Sequence, residues 1–211
     1  MRRSPRALLL AIAAGAIVLG QQPVPVVAAA TPAASHTTRR VGDSTDVASA
    51  AVDVSVGTWD DGAADRVVLG RDDLFADSLA GAALAGIRGP VLFTTGGPEA
   101  SLLPAVRAEI ARVLPPPSGC DGEGEIDVLG GTVAVSTSVE DELAGLGYCV
   151  HRIGGVDRVG TAVLVAAQAP DPSRVLLARS DTWPDAAAAS AYAAASGHPI
   201  LVTPPDGLAP G

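Results

Sequence analysis

Two short segments of the chain carry the same charged side chains at the same spacing. In each, an apolar run is followed by an arginine, an aspartate two residues later and a second aspartate four residues further on. The first set is Arg71, Asp73 and Asp77, and the second is Arg179, Asp181 and Asp185. Guanidinium groups hold phosphate or carboxylate groups through paired hydrogen bonds. We therefore predict that both sets bind a ligand, with helix capping and surface ion pairing as the alternative.

The second aspartate of each set also fits a local role. Asp77 and Asp185 fall where a helix is predicted to begin, so their carboxylates can accept free backbone N–H groups and complement the helix dipole. Phe75 and Trp183 precede them and can close the turn by packing. The arginine of each set is close enough in sequence to pair with either aspartate.

Apolar strands alternate with helices along the chain, and this alternation positions the charged sets. The strands are predicted at residues 66–71, 90–95, 126–131 and 148–153, and the helices at about 45–57, 76–87, 103–113 and 136–146. Such alternation predicts an α/β fold with a mainly parallel sheet covered on both faces. The charged sets then lie at the carboxyl edge of the sheet, where open α/β sheets bind ligands.

The two charged sets belong to a longer internal repeat of about 110 residues. Arg66 and Leu69 recur 108 residues later, and one inserted residue then aligns the strand PVLFTT with PILVTP. Upstream, RVGDSTDVASAAV aligns with RIGGVDRVGTAVL. The predicted organisation is a first module at residues 40–150 and a truncated second copy at residues 151–211.

The first thirty residues have the three parts of a secretory signal peptide. A basic start, MRRSPR, precedes the uncharged stretch ALLLAIAAGAIVLG, and an Ala-x-Ala site ends at Ala30. Because this stretch is shorter than the roughly 20 residues of a membrane span, residues 1–30 are predicted to be cleaved, with no membrane contact afterwards. Residues 31–39 are predicted to be a disordered lead-in.

The predicted mature chain is acidic. The full chain has a formal net charge of −9 and no lysine, and loss of Arg2, Arg3 and Arg6 leaves 11 arginines against 23 acidic residues. Nucleic acid is therefore excluded as a partner, because phosphate backbones require a basic surface. An anionic polymer would have to be held by local arginines or by bridging divalent cations.

The order of motifs resembles the cell-wall-binding repeat type 2 family over residues 40–211. The segment RIGGVDRVGTAV resembles its opening signature. Its aromatic-x-Asp-Ala segment is matched by FADSLAGAALAG and WPDAAAASAYAA, and its Pro-Ile-Leu-Leu-Thr strand is matched by PVLFTT and PILVTP. IDVLGGTVAVSTSVEDEL resembles its Gly-Gly segment. The signature and structural residues are Arg152, Gly154, Asp157, Arg158, Thr161, Gly130 and Gly131.

This resemblance implies a Rossmann-like three-layer module and a non-catalytic role without cofactor or metal. It implies a secreted protein of a Gram-positive cell surface, attached to the wall through an anionic wall polymer or peptidoglycan. It also implies packing with further repeat modules or self-association. Asp157 is expected to cap a helix with Thr161 one turn in, and Arg158 to form an ion pair between modules.

Enzymatic functions are the alternatives. VGDSTD resembles the Gly-Asp-Ser motif of GDSL-type esterases, with Ser44 as nucleophile, but a strand should precede that motif and TPAASHTTRR does not predict one. Family members often accompany amidases, so the second alternative is the targeting part of a peptidoglycan hydrolase. The histidines at 36, 151 and 198 lack the spacing of a zinc site. Gly130 and Gly131 are not a dinucleotide fingerprint, since the third glycine is missing.

Two cysteines in a secreted chain predict a disulfide between Cys120 and Cys149. Both are expected near the amino-terminal edge of the sheet, opposite the proposed ligand edge. A buried free thiol at Cys149, or metal binding by both cysteines with His151, are the alternatives. The truncated copy predicts one further feature: the strand at residues 199–203 lacks a neighbour, and its open edge favours self-association.

Overall fold

Six helices and six strands alternate along the residues that the computed structural model describes, which are 40–114, 120, 126–169 and 172–208. The helices are α1 (Val47–Thr58), α2 (Ala76–Ala85), α3 (Pro104–Val113), α4 (Thr137–Gly145), α5 (Arg158–Ala166) and α6 (Pro184–Ser196). The strands are β1 (Val67–Arg71), β2 (Val91–Thr94), β3 (Ile126–Leu129), β4 (Val150–Ile153), β5 (Leu176–Arg179) and β6 (Ile200–Thr203). The predicted signal peptide and lead-in, with most of the loop before β3, lie outside the described residues.

The first four strands form one parallel sheet in the order β2-β1-β3-β4. Val68 lies beside Val91 of β2 and Asp127 of β3, and Ile126 lies beside Val150 of β4. The central strands β1 and β3 are buried on both faces except at Arg71, as expected for parallel strands covered by helices. This arrangement confirms the predicted α/β fold.

Each face of the sheet has its own apolar core. Helices α1, α3 and α4 cover one face, where Val106, Ile110 and Leu143 are fully buried against β1, β2 and β3. The other face is covered by α2 and α5, whose small side chains, including Ala80 and Ala162, allow close packing. Within the described residues, no helix is both long and apolar enough to cross a bilayer.

The second copy packs on α2 rather than extending the first sheet. Helix α6, the counterpart of α2, packs against α2, while α5 packs against both α2 and β6. Strands β5 and β6 pair in parallel as a separate two-stranded sheet. The prediction that the strand at residues 199–203 lacks a neighbour is therefore wrong: α6 returns the chain beside β5, just as α2 returns it beside β1.

In the second copy, the unpaired strand edge is instead the edge of β5 that faces away from β6. Its counterpart β1 has β2 on one side and β3 on the other, whereas β5 pairs only with β6 in the described part of the chain. Leu177 is 59% exposed, although its counterpart Leu69 is fully buried. An apolar strand with a free edge therefore remains a candidate for self-association.

We predict concentration-dependent oligomers of purified residues 31–211, measured by light scattering. Leu177→Glu should shift the population toward monomer, because it places a charge on the exposed face of β5. Val54→Glu, at a similarly exposed position on α1, is the matched control and should leave the oligomers unchanged. A native chain that stays monomeric at high concentration would contradict this prediction.

The predicted disulfide between Cys120 and Cys149 is confirmed. The two Cα atoms are 5.6 Å apart, and 29 positions separate the residues in sequence. Cys149 directly precedes β4, and its carbonyl oxygen accepts a hydrogen bond from the Ile126 N–H at the start of β3. The bond therefore lies at the amino-terminal edge of the sheet.

One buried carboxylate stands out in the sheet. Asp127 is 1% exposed, and its side chain pairs with the guanidinium of Arg66 and lies 3.3 Å from His151 Nδ1. Burial raises the pKa of Asp127 above its ordinary value, although Arg66 and His151 act in the opposite direction. Desolvation thus outweighs the attraction of the partners, as is common for buried ion pairs.

Candidate functional site

A cleft of about 440 Å³ opens at the carboxyl edge of the first sheet, where the ends of β1 and β3 meet the start of the second copy. Parallel strands bring their carboxyl ends to one edge, so turns that are distant in sequence become neighbours. The lining residues are Arg71, Leu74 and Asp77, residues 131–134 and 155–158, and Thr161.

Arg71 ends β1 and reaches the cleft as half of a two-point ion pair. Its Nε donates to Asp73 Oδ1 over 2.6 Å, and its Nη2 donates to Asp73 Oδ2 over 2.7 Å. These hydrogen bonds lower the pKa of Asp73. Gly96 leaves room for the pair, since a Cβ there would lie 2.2 Å from Asp73 Oδ1. Arg71 is consequently held in one orientation beside the cleft.

Asp77 lines the cleft from the second residue of α2. The prediction that it caps this helix is wrong, and the same holds for Asp185 in α6. The residues at the cap positions are Phe75 and Trp183, neither of which makes a side-chain capping bond. A capping side chain must precede the first helical residue, whereas both aspartates lie inside the first turn. There they still complement the helix dipole.

One oxygen of the Asp77 carboxylate is buried without a partner. Within the described part of the chain, no hydrogen-bond donor contacts its Oδ1. Gly130 accommodates the other oxygen, because a Cβ there would lie 3.0 Å from Asp77 Oδ2. Arg71 attracts Asp77 through its charge, but its hydrogen bonds go to Asp73.

The Gly-Gly turn after β3 is held in place by residues of β4 and the segment that follows. Gly130 has a φ of +94°, which favours glycine, and its carbonyl accepts a 2.8 Å hydrogen bond from Arg152 Nη1. Arg152 Nη2 also donates to Glu140 Oε2 over 2.6 Å. A Cβ on Gly154 would lie 2.5 Å from the Gly130 carbonyl carbon, so glycine is needed there. Arg152 and Gly154 therefore shape the turn whose next residues line the cleft.

The signature of the second copy forms the opposite side of the cleft. Asp157 caps α5 as predicted, accepting a 2.8 Å hydrogen bond from the Gly160 N–H. Thr161 donates to the Asp157 carbonyl oxygen and accepts from the Gly155 N–H, both over 3.1 Å. These bonds fix the loop that carries Val156 into the cleft.

Arg158 has a backbone partner within the second copy. Its Nη1 donates to the Ser180 carbonyl oxygen, just after β5, over 2.7 Å. The expected ion pair between modules stays a prediction. Arg158 thereby joins the start of α5 to β5 within the second copy while lining the cleft.

The second charged set reproduces the first locally but not in its surroundings. Arg179 donates to Asp181 over 2.9 and 2.6 Å, matching the Arg71–Asp73 pair. The Arg179 side chain is 52% exposed, whereas that of Arg71 is 15% exposed. Arg179, Asp181 and Asp185 do not line the cleft. The structure therefore brings together the first set and the second-copy signature, and leaves the second set apart.

The cleft combines hydrogen-bonding groups of both kinds with apolar surface. Arg71 and Arg158 supply donors, Asp77 supplies an acceptor, and the exposed side chains of Val133 and Val156 supply apolar contacts. Neither these valines nor Leu74 were among the predicted site residues. Each lies in or beside a recognised motif, but exposure at a turn between strand and helix leaves no periodic signal.

Ser44, the proposed esterase nucleophile, lies outside this cleft. Its hydroxyl donates to Asp53 Oδ2 over 2.6 Å, and Ser44 itself is exposed. The two described histidines have other neighbours: His151 lies beside Asp127, and His198 lies beside Tyr192. A catalytic base is thus not assembled around Ser44 in the described residues.

Curated relatives match most of the chain. It is 33% identical to the amidase enhancer of Bacillus subtilis over 67% of its own length, and 28% identical to the N-acetylmuramoyl-L-alanine amidase LytC of that species over 81%. These matches span 19% and 32% of the two relatives, so the chain corresponds to a minor part of each.

Solved structures and a family model agree with these matches. Cwp8 from Clostridium difficile superposes with a TM-score of 0.65 and 34% identity over 77% of this chain and 27% of that one. Cwp6 from the same species superposes with a TM-score of 0.63 at 24% identity, covering 77% of this chain and 24% of that one, which shows the fold alone. The model of cell wall binding domain 2 matches residues 11–140 and 152–210. The chain therefore belongs to the cell wall binding domain 2 (CWB2) family.

Proposed function

We propose that the chain is a non-catalytic module that attaches a secreted protein to the bacterial cell wall, and that the cleft between its two copies is the attachment site. The observation that carries this proposal is the composition of the cleft. It joins the Arg-x-Asp set of one copy to the signature of the next. Secretion rests on the predicted signal peptide.

The ligand that we propose is an anionic wall polymer. Arg71 and Arg158 both line the cleft, and arginine suits phosphate and carboxylate groups. Because the whole chain is acidic, its net charge repels an anionic polymer at long range, so binding must rely on the arginines at short range or on bridging divalent cations.

The relatives are compatible with one variation of this function. Two of them are an amidase and an amidase enhancer, so the module can also serve to hold a peptidoglycan hydrolase at the wall. The cleft would have the same role in either case, and the hydrolase would reside in another domain. The esterase alternative receives no support from the surroundings of Ser44.

Purified residues 31–211 should sediment with cell walls that carry their anionic polymer and not with walls stripped of it. Arg71→Ala should weaken sedimentation about tenfold or more, because it removes a charged hydrogen-bond donor from the cleft. Arg179→Ala is the matched control: it breaks the same kind of ion pair outside the cleft and should leave sedimentation unchanged. High salt should weaken binding of the native chain.

Two results would contradict this proposal. Equal sedimentation with intact and stripped walls would exclude the polymer as ligand. Equal losses in Arg71→Ala and Arg179→Ala would exclude the cleft as the site.

A further inference from the structure

We infer that two copies of the chain pair through the free edge of β5, as antiparallel strands related by a twofold axis, with Leu177 of one copy opposite Leu177 of the other. The two-stranded sheets of both copies then form one four-stranded sheet in the order β6-β5-β5-β6. This interface gives the self-association expected at the free edge a single partner and a single register. Residues 175–179 are outside the cleft lining, so the interface does not depend on the wall ligand.

The backbone of β5 presents its hydrogen-bonding groups alternately to its two sides. The Leu176 N–H donates to the Pro199 carbonyl oxygen over 2.9 Å, which turns the backbone groups of Leu176 toward β6. The N–H and C=O groups of Val175, Leu177 and Arg179 therefore face the other edge. In the described part of the chain, no strand pairs with that edge.

The first copy shows what this edge accommodates. On the equivalent side of β1, Val67 lies beside Ile126 of β3 and Leu69 lies beside Val128. Leu69 is the counterpart of Leu177 in the repeat. The edge thus offers its backbone groups to a strand, and β5 of a second molecule carries the same unpaired groups.

The side chains on one face of β5 also favour a partner. Four apolar side chains of the second copy are exposed, namely Val163, Leu164, Val175 and Leu177. Their counterparts in the first copy belong to its apolar core, namely Ala51, Val52, Val67 and Leu69. A twofold pair brings Val175 and Leu177 of both molecules into one apolar cluster across the seam, where they shield one another from water.

Hydrogen bonding restricts the register of the pair. A surface that meets its own copy forms an isologous contact, which is antiparallel where one sheet continues across the axis. Pairing Leu177 with Leu177 joins the groups that face the free edge on both sides. A shift by one residue would place Leu177 opposite Leu176, whose groups face β6, and is excluded. A shift by two residues would place Arg179 opposite Ser173, which precedes the strand.

The same register keeps like charges apart. Arg179 lies opposite Val175, and Arg174 lies opposite Ser180. The Arg179 guanidinium stays with Asp181 of its own copy. Like charges directly opposite each other destabilise a strand pair, so their separation favours this arrangement.

Leu177→Cys in residues 31–211 tests the twofold contact. The two native cysteines are bonded to each other, so the added thiol is the free one. In a hydrogen-bonded antiparallel pair, opposed Cα atoms are about 5.5 Å apart, a distance that a disulfide spans. Under mild oxidant, Leu177→Cys should form covalent dimers at least about tenfold faster than Val54→Cys, at a similarly exposed position on α1. Equal rates, or the absence of a covalent dimer from Leu177→Cys, would overturn the inference.

A mixture of two further variants tests the register. Val175→Cys and Arg179→Cys should each dimerise slowly alone, because the register separates the two copies of either residue by about 14 Å along the strands. Mixed in equal amounts, they should form the mixed dimer at least about tenfold faster than either forms its own dimer. A mixed dimer that forms no faster would overturn the register. Urea midpoints equal to that of the native chain exclude unfolding of the variants.

Amide hydrogen exchange tests the native chain without any substitution. On concentration, the Leu177 N–H should exchange at least about tenfold more slowly than in dilute solution, because it becomes a donor across the seam. The N–H of Val41, in the exposed segment before α1, should keep its rate. An unchanged rate at Leu177 where light scattering detects oligomers would place their contact elsewhere and overturn the inference. A chain that stays monomeric would overturn it as well.

Discussion

Asp127→Ala should lower the free energy of unfolding by about 3–5 kcal/mol, measured by urea denaturation of residues 31–211. The substitution leaves the mostly buried guanidinium of Arg66 without its counter-charge, and an unpaired charge inside a protein is costly. This loss of stability should exceed the loss caused by breaking any exposed ion pair of the chain.

Two variants make this prediction decisive. Asp181→Ala breaks the exposed Arg179–Asp181 pair and should leave the urea midpoint nearly unchanged. The double substitution Arg66→Met with Asp127→Leu should recover most of the lost stability, because it removes both charges from the apolar surroundings. Equal destabilisation by Asp127→Ala and Asp181→Ala would show that burial does not govern these pairs.

The raised pKa of Asp127 makes the free energy of unfolding depend on pH. Because its folded-state pKa is raised above the ordinary value of 3.8, the folded state binds this proton more readily than the unfolded state. The contribution of Asp127 to stability is therefore larger at acidic pH and declines as pH rises through the folded-state pKa.

Reduction of the Cys120–Cys149 disulfide should lower the free energy of unfolding by about 3–4 kcal/mol in the chain-entropy account. The bond closes a loop with a sequence separation of 29, and reduction restores the freedom of that loop in the unfolded chain. Thermal unfolding with and without reductant measures the change, and intact mass should rise by about 2 Da on reduction.

The double variant Cys120→Ser with Cys149→Ser is the control for this second prediction. Its unfolding midpoint should match that of the reduced native chain and should not respond to reductant. Full alkylation of both cysteines without reductant would refute the bond in solution, and an equal midpoint in both redox states would refute its stabilising role.

Local features were predictable because they depend on neighbours along the chain. Apolar runs followed by turns located all four strands of the first sheet within a few residues. Asp157 caps its helix as expected, since a capping side chain needs only the backbone of its own first turn. Predicting the bond between Cys120 and Cys149 required only that two adjacent strands be parallel.

Predictions that depended on a choice of partner were less successful. Asp77 lies inside the helix that it was expected to cap, and Arg158 donates to the Ser180 carbonyl oxygen, a contact that the repeat did not indicate. The residue at which a helix begins and the groups that a long side chain reaches depend on the tertiary path of the backbone, which spacing along the chain does not encode.

The amino-acid sequence by itself determined the alternation of strands and helices, the repeat, the two Arg-x-Asp sets and the cysteine pair. The tertiary structure alone decided that these sets are not equivalent. Arg71 lies at a cleft completed by residues 131–134 and 155–158, whereas Arg179 lies on an exposed edge beside a two-stranded sheet. The physical reason is that an ion pair between residues two apart forms from local geometry. A cleft requires segments more than 80 positions apart to meet at one sheet edge.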